Sequence, residues 1–515
     1  MSFFNYLSLV LGGIEVFLFP MITRGFPMIQ FIFEEEKLFM NEKCSEKDII
    51  NDVYCEEAKA VFGDIYSSMF LAINGGSFFF GFLYLKIGGA FVRLILGLLM
   101  TAGLFCISFY KTSPYFFFAG MILSSTGVIM WIPLNTMIGP IFKKNSSYVV
   151  LFLSAMVVAS GATFWYGKLA YQSRDYPLDS YIFIIAILSI MITIRTLFLF
   201  PFETIPKDVP DDYCIFRSSL VGRALSWKRI GAEKEAEEKV QAPTWRQYLP
   251  YIFHPMNIAL SIWDICGFFR SYTFIGWMVP WMNRGFDSHV IDCKGNITCQ
   301  ENIHALKSQT MDSLGYLQIL SPLLPILMML KLKWSVGRYP KSYPLPQLRE
   351  NLNTLISRAI IITVLAIAMT IFQWFPIPVA SSGYSTLALV LWILHLTYLN
   401  SWYILFLYQF CPAQMVPVLF AVKFIMFPIY YVNTPLYSSI IAEKNGDIDF
   451  TISSGVLLAI VLASSTAQIY FFFFSRRFLK AKERSFLYFP NPSGWKQKEK
   501  TIFQRIIGMF TGNQH

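Results

Sequence analysis

Few ionisable side chains interrupt the long apolar stretches of this chain, and those few could couple or gate the passage of a solute. Glu15, Asp264 and Arg270 each lie within such a stretch. A charge in hydrocarbon is costly unless it contacts water or an opposite charge, and buried carboxylates in membranes can relay protons. We therefore treat these three residues as candidates for gating or coupling. A structural ion pair is the alternative for Glu15, and passive facilitation requires none of them. Arg24, near the outer end of the first apolar stretch, is expected to snorkel to the surface.

Asp264 and Arg270 are not expected to pair with each other. They are six residues apart in one stretch, and on a helix such residues point to different faces. Any ion pair that they make must therefore come from another part of the chain.

A second candidate is a set of polar aromatic side chains on one predicted helical face. His395, Tyr398 and Trp402 follow the i, i+3, i+7 spacing that brings side chains together on a helix. Such a face could stack against a planar or apolar ligand and also offer it hydrogen bonds. Ordinary packing between helices, with Trp402 in an interfacial belt, is the alternative explanation.

No catalytic motif accompanies these residues. The sequence contains no GxSxG, no phosphate-binding Gly-Lys-Ser/Thr, no HExxH and no CxxC, and its five histidines are scattered singly. The sequence therefore predicts that the chain is not an enzyme, has no catalytic residue and holds neither a metal nor a cofactor.

The elements that must position the candidate residues are twelve apolar stretches. Crossing a hydrocarbon layer of about 30 Å takes roughly 20 apolar residues, and only helices or closed barrels satisfy their own backbone there. The chain is 55% hydrophobic and 14% charged, whereas soluble domains are about 25% charged. We predict an all-α membrane protein with 12 transmembrane helices. The spans are near 5–31, 62–85, 91–110, 115–141, 148–170, 178–202, 249–280, 312–332, 354–374, 381–409, 415–441 and 452–475.

The spans fall into two groups of six. We predict an N-terminal half over 1–202, a cytoplasmic central loop over 203–248, a C-terminal half over 249–475 and a cytoplasmic tail over 476–515. The charged residues of the run Lys234–Lys239 in the central loop are expected to be solvated. This layout is typical of the major facilitator fold, in which the solute site lies near the midplane between the halves.

Basic residues favour one orientation in the membrane. With the N-terminus inside, more Lys and Arg residues face the cytoplasm than the exterior, which is the usual bias. Anionic inner-leaflet lipid then explains the net charge of +10, and we expect no nucleic-acid partner. The expected partners are a small-molecule solute and the bilayer. We expect a monomer, multi-pass in the plasma membrane.

Four cysteines fall in the loops that this orientation places outside. Cys44 and Cys55 lie after the first span, and Cys293 and Cys299 lie after the seventh. An oxidising exterior would permit one disulfide in each loop, with free thiols as the alternative. In the second loop, Asn296 begins an Asn-x-Thr sequon and is a candidate glycosylation site.

Three segments resemble a known family. They are Gly25–Phe26–Pro27 with the acidic run that follows, Phe200–Pro206, and Asn135–Phe142. The first resembles the end of span one, the second the end of span six and the third the exit of span four in the sodium-independent large neutral amino acid transporters of the L-type 3 and 4 branch. A sibling branch of that family carries purine nucleobases, and the resemblance does not exclude it.

The resemblance implies a facilitator of branched-chain and aromatic amino acids that works by alternating access, without sodium. The alternatives are a purine nucleobase facilitator and a non-transporting sensor on the same fold. Pro20, Gly25 and Pro27 predict a break in span one, whose helix ends could bind a zwitterion without full charges. Gly25, Phe26 and Asn135 are the substrate-binding candidates that draw on the resemblance. His395 and Tyr398 complete the predicted site, because span ten lines the cavity of the facilitator fold.

One departure concerns the segment between spans two and three. Many facilitators have Gly-x-x-x-Asp-Arg-x-Gly there, whereas this chain has Leu85 at the acidic position and Arg93 further on. That carboxylate normally pairs with cations at the inner gate. The charges at this gate must therefore be arranged differently here.

Overall fold

The chain folds into a bundle of helices. The computed structural model describes residues 2–50, 55–174, 176–202, 205, 209–227, 245–253, 255–290, 297–324, 360–361, 363–369, 371, 382–411, 415–426 and 455–466. Within these ranges the β-type pairing consists of an isolated bridge between Pro201 and Ser219. The all-helical prediction is therefore confirmed.

Seven described helical segments are long and apolar enough to cross a membrane. They coincide with the first seven predicted spans, and their ends differ by up to eight residues (257 against 249). Predicted spans eight to twelve lie partly outside the described residues. The seven segments are Phe3–Arg24, Glu57–Ile87, Gly89–Ser108, Pro114–Lys143, Tyr148–Ser173, Leu178–Leu199 and Asn257–Asn283.

The first span is broken in its middle. Its three pieces are α1 (Phe3–Leu18), α2 (Met21–Arg24) and α3 (Phe26–Glu35). Pro20 and Pro27 lack the amide hydrogen that a continuous helix would use. Gly25 permits a close approach, because a Cβ there would lie 2.5 Å from a ring carbon of Phe164. The predicted break in span one is confirmed, and it exposes backbone groups at mid-span.

The helices that follow build the rest of the N-terminal half. The fourth span is also interrupted, at Gly127, whose φ of +69° is a left-handed conformation that favours glycine. These helices are α4 (Met40–Lys43), α5 (Glu46–Ile50), α6 (Glu56–Ile87), α7 (Gly89–Ser108), α8 (Pro114–Ser125), α9 (Trp131–Thr136), α10 (Ser146–Ala159), α11 (Ala162–Arg174) and α12 (Leu178–Leu199). Two 3₁₀ helices, Val128–Met130 and Gly139–Asn145, complete the fourth span.

The start of the central segment packs against the bundle. Ile205, Val209 and Ile215 are buried against the end of the N-terminal half. Asn5 fixes this segment, because its amide donates to the Tyr213 carbonyl at 2.8 Å and accepts from the Ile215 amide at 3.0 Å. Apolar residues among the charges thus hold the start of the loop on the bundle. The run Lys234–Lys239 lies outside the described residues.

The remaining described helices belong to the middle segment and the C-terminal half. They are α13 (Ile215–Ser218), α14 (Leu220–Trp227), α15 (Trp245–Ile252), α16 (Pro255–Val290), α17 (Ile297–Leu320), α18 (Ser382–Phe410), α19 (Val416–Val422) and the 3₁₀ helix Lys423–Met426. A further apolar helix covers Gly455–Thr466. Helix α17 begins 15 residues before the predicted span eight (297 against 312), because its polar start contacts the N-terminal half.

A disulfide lies at one end of the bundle, and the described part of the central segment lies at the other. A disulfide joins Cys44 to Cys55, as predicted, with their Cα atoms 5.6 Å apart. We call this end of the bundle the disulfide end and the opposite end, which carries 205–227, the loop end. Cys299 is disulfide-bonded, whereas its predicted partner Cys293 and the sequon residue Asn296 lie outside the described residues.

The two halves meet along several pairs of helices. These pairs include α3 with α16, α11 with α17, α10 with α18, and α6 with α19. We call the surface between the halves the seam. Since a solute site of the predicted type would lie between the halves, the side chains at the seam are the ones to consider.

Candidate functional site

Arg24 lies at the seam beside the break in the first span. Its side chain is buried, with 1% of the residue exposed. It donates to the hydroxyl oxygen of Tyr272 in the other half at 3.2 Å, while its Nε has no hydrogen-bond partner among the described residues. No carboxylate lies within ion-pair distance of it in the described parts of the chain. The sequence position near the end of span one suggested snorkelling to the surface, and that interpretation is wrong.

Gln318 approaches Arg24 from helix α17 of the other half. Its side-chain amide donates to the backbone carbonyl of Arg24 at 3.0 Å. That carbonyl is available because α2 ends at Arg24 and leaves it without a helical partner. The Gln318 side chain is completely buried, and its oxygen Oε1 has no hydrogen-bond partner.

Aromatic rings from both halves lie beside the hydrogen bond between Arg24 and Tyr272. In the N-terminal half, Tyr66 and Phe70 are stacked at 6.1 Å between ring centroids with an 11° interplanar angle. In the C-terminal half, Phe268 and Tyr272 are stacked at 5.6 Å and 14°. The two pairs meet across the seam, where Phe70 and Tyr272 are 5.0 Å apart. The Tyr66 hydroxyl also donates to the Tyr272 carbonyl at 2.5 Å.

We name Arg24, Tyr66, Phe70, Tyr272 and Gln318 the seam cluster. It combines flat apolar surfaces with one buried cation, a free donor and a free acceptor. Such a set suits a planar or amphipathic solute with polar edges. Among the predicted site residues, Phe26 belongs to its surroundings, because its ring lies 5.0 Å from that of Tyr66.

The other predicted N-terminal residues form a separate buried network near the loop end. Glu15 binds both Arg93 and Arg195, and the Arg195 contact is 2.8 Å long. Asn135 accepts from the same two guanidinium groups, at 3.0 and 2.7 Å. Thr196 accepts from Arg93 at 2.9 Å. Glu15 of span one thus gives Arg93 a carboxylate partner, although Leu85 occupies the acidic position of the facilitator motif. Glu15 makes the structural ion pair that was the alternative to a gating or coupling role.

The C-terminal half contains a second buried ion pair. Asp264 binds Lys423, whose ammonium also lies between 4.0 and 4.8 Å from the centroids of four aromatic rings. Asp264 therefore pairs with a residue on another helix and not with Arg270, as the helical spacing predicts. Cation–π contacts with several rings stabilise an ammonium in a desolvated place.

His395 and Tyr398 have different surroundings. His395 is buried, and its Nδ1 lies 2.7 Å from the Ser271 hydroxyl, whereas its Nε2 has no hydrogen-bond partner. Tyr398 is half-buried and packs against the core. The side chain of Trp402 lies outside the described set. The role of Gly25, Phe26, Asn135, His395 and Tyr398 in substrate binding stays a prediction.

Polar contacts join the halves at the disulfide end. Lys168 of α11 binds Asp312 of α17 at 2.6 Å. Glu35 of α3 lies 2.7 Å from the imidazole of His304. Asn283 donates to Glu34 at 3.3 Å. These three contacts must separate if the halves part at this end.

The contact at the loop end is apolar and tight. Gly81 of α6 faces Ala421 of α19, and a Cβ on Gly81 would lie 2.1 Å from the Cβ of Ala421. Two small residues permit helices to approach closely in a membrane. The seam is thus held by ion pairs at one end and by close helix packing at the other.

Comparison with known proteins gives the fold. No family model matches the chain. Equilibrative nucleobase transporter 1 of Bos taurus is 26% identical over 290 residues, which cover 54% of this chain and 57% of that protein. The chain therefore matches little more than half the length of this relative.

Solved structures of the xylose transporter XylE from E. coli are similar over most of the chain. A structure of this proton:xylose symporter with a bromodeoxyglucose covers 91% of the chain and 95% of its own, at TM-score 0.54 and 12% identity. A partially occluded inward-open structure covers 90% and 97%, at TM-score 0.50 and 12% identity. The chain is an all-α membrane protein with the major facilitator fold. The proteins that it resembles are transporters, in agreement with the prediction that it is not an enzyme.

Proposed function

We propose that this chain is a membrane transporter that lets nucleobases equilibrate across a bilayer. The observation that carries the proposal is the meeting of two stacked aromatic pairs across the seam, Tyr66–Phe70 and Phe268–Tyr272. Every base has a flat π-face, and stacking on aromatic side chains is worth about 1–3 kcal/mol per base. The similarity to the bovine nucleobase transporter supports the same substrate class.

Nucleobases replace amino acids as the first choice of substrate. The resemblance of short segments suggested amino acids, but the longer similarity is to a nucleobase transporter. Amino acids remain the second candidate because of Arg24, since a buried guanidinium without an acidic partner would also bind an α-carboxylate.

The proposed mechanism is alternating access about the seam cluster. At the disulfide end, the pair Lys168–Asp312 and its neighbours separate to admit the solute. At the loop end, Gly81 and Ala421 separate to release it. Two rigid halves that rock about a fixed central site are typical of this fold. The disulfide agrees with an extracellular disulfide end and cytoplasmic termini in the plasma membrane, which we also propose.

The proposed transport is passive. Both candidate coupling carboxylates have basic partners, Arg93 and Arg195 for Glu15 and Lys423 for Asp264. Each carboxylate therefore has a structural role as the partner of a buried cation. Passive transport requires no further role for either of them.

The direct test is uptake into proteoliposomes that contain the purified chain. We expect saturable flux of hypoxanthine and adenine above that of empty vesicles, unchanged when sodium and pH gradients are removed. Leucine and phenylalanine are expected to show no flux. Flux of leucine without flux of nucleobases would establish the amino-acid alternative, and binding without any flux would favour a sensor.

Transport is expected to depend on pH at the disulfide end. The Glu35 carboxylate raises the pKa of His304 above the usual value of histidine, against the effects of partial burial and of Lys307 and Lys168. The ion pair is therefore complete below pH of about 6.5 and is lost as the pH rises through the raised pKa. Since the pair closes this end, we expect the uptake rate to increase over that range.

The variant His304→Gln tests this expectation. Glutamine keeps a polar side chain beside Glu35 but does not titrate. The pair is partly exposed, and exposed pairs are worth up to about 1 kcal/mol, so the wild-type rate should change by no more than about fivefold. The measurement is initial uptake rate between pH of about 6 and 8, a range that brackets the usual pKa of histidine. An equal slope in wild type and variant would assign the pH dependence to another group.

A further inference from the structure

Arg24 and Gln318, which a hydrogen bond joins across the seam, each carry a buried polar atom without a partner among the described residues. The unpartnered donor is Arg24 Nε and the unpartnered acceptor is Gln318 Oε1, and both residues are at least 99% buried. The hydrogen bond from the Gln318 amide nitrogen to the Arg24 carbonyl fixes which end of the Gln318 amide remains free. Buried polar atoms without partners are rare in folded proteins, and Arg24 lies here beside the ring of Tyr272.

The two groups match the polar atoms around C6 of a purine. A 6-oxopurine such as hypoxanthine or guanine presents two acceptors, O6 and N7, and an N1–H donor on the other side of C6. A guanidinium pairs with O6 and N7 through two hydrogen bonds. Arg24 has for this its Nε–H and the second hydrogen of the Nη2 group that donates to Tyr272. The N1–H of the same base can donate to an amide oxygen. Arg24 and Gln318 supply this guanidinium and this oxygen from opposite halves.

Adenine fits the same groups less well. Its 6-amino group is a donor and would face the N–H groups of Arg24. Glutamine can bind adenine through two hydrogen bonds, but this requires both its amide nitrogen and its oxygen. One of the two hydrogens of the Gln318 nitrogen already goes to the Arg24 carbonyl. Pairing with adenine would have to use the other hydrogen, so the main discrimination against adenine comes from Arg24.

We propose that Arg24 and Gln318 together recognise the 6-oxo edge of a purine and make the transporter prefer oxopurines to adenine. This inference rests on the proposed function. Since one residue comes from each half, the base connects the halves while it stacks on Tyr66, Phe70 and Tyr272. The seam cluster then determines specificity as well as affinity.

The first experiment uses the unmodified chain in proteoliposomes and competition against labelled hypoxanthine. Unlabelled guanine is expected to compete at least about fivefold more strongly than adenine, because one well-placed bidentate pair discriminates by about 5- to 150-fold. The analogue 7-deazahypoxanthine, which lacks the N7 acceptor, is expected to compete more weakly than hypoxanthine. Equal competition by guanine, adenine and the 7-deaza analogue would overturn the inference.

The second experiment uses Arg24→Lys, which keeps the charge but removes the planar fork of donors. The preference for hypoxanthine over adenine should fall by about 5- to 150-fold, while adenine flux shows that the variant is folded. Gln318→Leu removes the acceptor and should weaken hypoxanthine more than adenine. An unchanged preference in either folded variant would overturn the inference.

The outcomes separate this inference from the proposed function. If the unmodified chain moves no nucleobase, the proposed function is wrong and the inference fails with it. If it moves hypoxanthine and adenine with equal preference, the proposed function stands and only the inference is wrong.

Discussion

Replacing Glu15 with glutamine is expected to destabilise the protein by about 3–5 kcal/mol, the usual cost of removing one partner from a buried ion pair. Glu15 is 1% exposed and is the carboxylate that binds both Arg93 and Arg195. Without it, two guanidinium groups remain in the core of the N-terminal half with Asn135 as their shared acceptor. The measurement is thermal or chemical unfolding of the purified protein in detergent.

An exposed ion pair provides the matched control. Asp179 binds Lys111 at 2.5 Å, and the two side chains are 30% and 52% exposed. Pairs of this kind contribute about 0–1 kcal/mol, so Asp179→Asn should change stability little. Equal destabilisation by Glu15→Gln and Asp179→Asn would contradict the proposed importance of the buried network.

A double variant tests the network more closely. Arg195→Gln leaves Glu15 with Arg93 as its basic partner, so Glu15→Gln combined with Arg195→Gln buries one fewer unpaired charge than Glu15→Gln alone. The two substitutions should therefore destabilise by less than the sum of their separate effects, because residues in one network are coupled. A stable Glu15→Gln variant that has gained or lost a proton dependence would instead support a coupling role for Glu15.

Replacing Gly81 with alanine is expected to bias the transporter against closure at the loop end. The new Cβ would lie 2.1 Å from the Cβ of Ala421, a separation that requires the two helices to move apart. Overpacking of this kind costs about 1–3 kcal/mol. Because this cost falls on the state in which the loop end is closed and not on the state in which it is open, it shifts the ratio of the two states by about 5- to 150-fold. Uptake should fall accordingly, while the protein remains folded because the contact joins two halves that are expected to separate.

The chain offers both a compensating change and a control for Gly81. Ala421→Gly removes the clashing methyl group, and the nearest remaining atom, the Cα of residue 421, is 3.6 Å from the position that a Cβ on Gly81 would take, an ordinary contact. The double variant Gly81→Ala with Ala421→Gly should therefore recover uptake. Gly383→Ala adds a methyl group where no described atom lies within 4 Å and should have no effect. If the double variant is as slow as Gly81→Ala, steric exclusion at the loop end is not the cause.

Much of the fold could be predicted from the sequence because it depends on local composition. A run of apolar residues with the length of a bilayer defines a span wherever it occurs, and the first seven predicted spans coincide with observed helices. Prolines and glycine at 20–27 predicted the break in span one by the same local reasoning. The polar start of α17 was not predicted as helix, because polar residues of this kind also occur in solvated loops. The contact of α17 with Lys168 of the other half is visible only in the tertiary structure.

The candidate site was predicted only in part. Phe26 was expected at the site and lies beside the seam cluster. Arg24 was interpreted as a surface anchor, although the neighbouring break in the helix indicated a mid-span position. Tyr66, Tyr272 and Gln318 carried no signal of their own, because aromatic and amide residues are frequent throughout this chain.

The sequence by itself determined that this chain is a membrane bundle of helices, where its first seven spans lie to within eight residues, and where its first span breaks. Only the tertiary structure decided which side chains are partners. Glu15 meets residues 78 and 180 positions away, and Gln318 lies 294 positions from Arg24. Hydropathy acts on each segment separately, whereas hydrogen bonds and ion pairs require two segments to be placed face to face. That placement depends on how all the helices pack together, and no local pattern contains it.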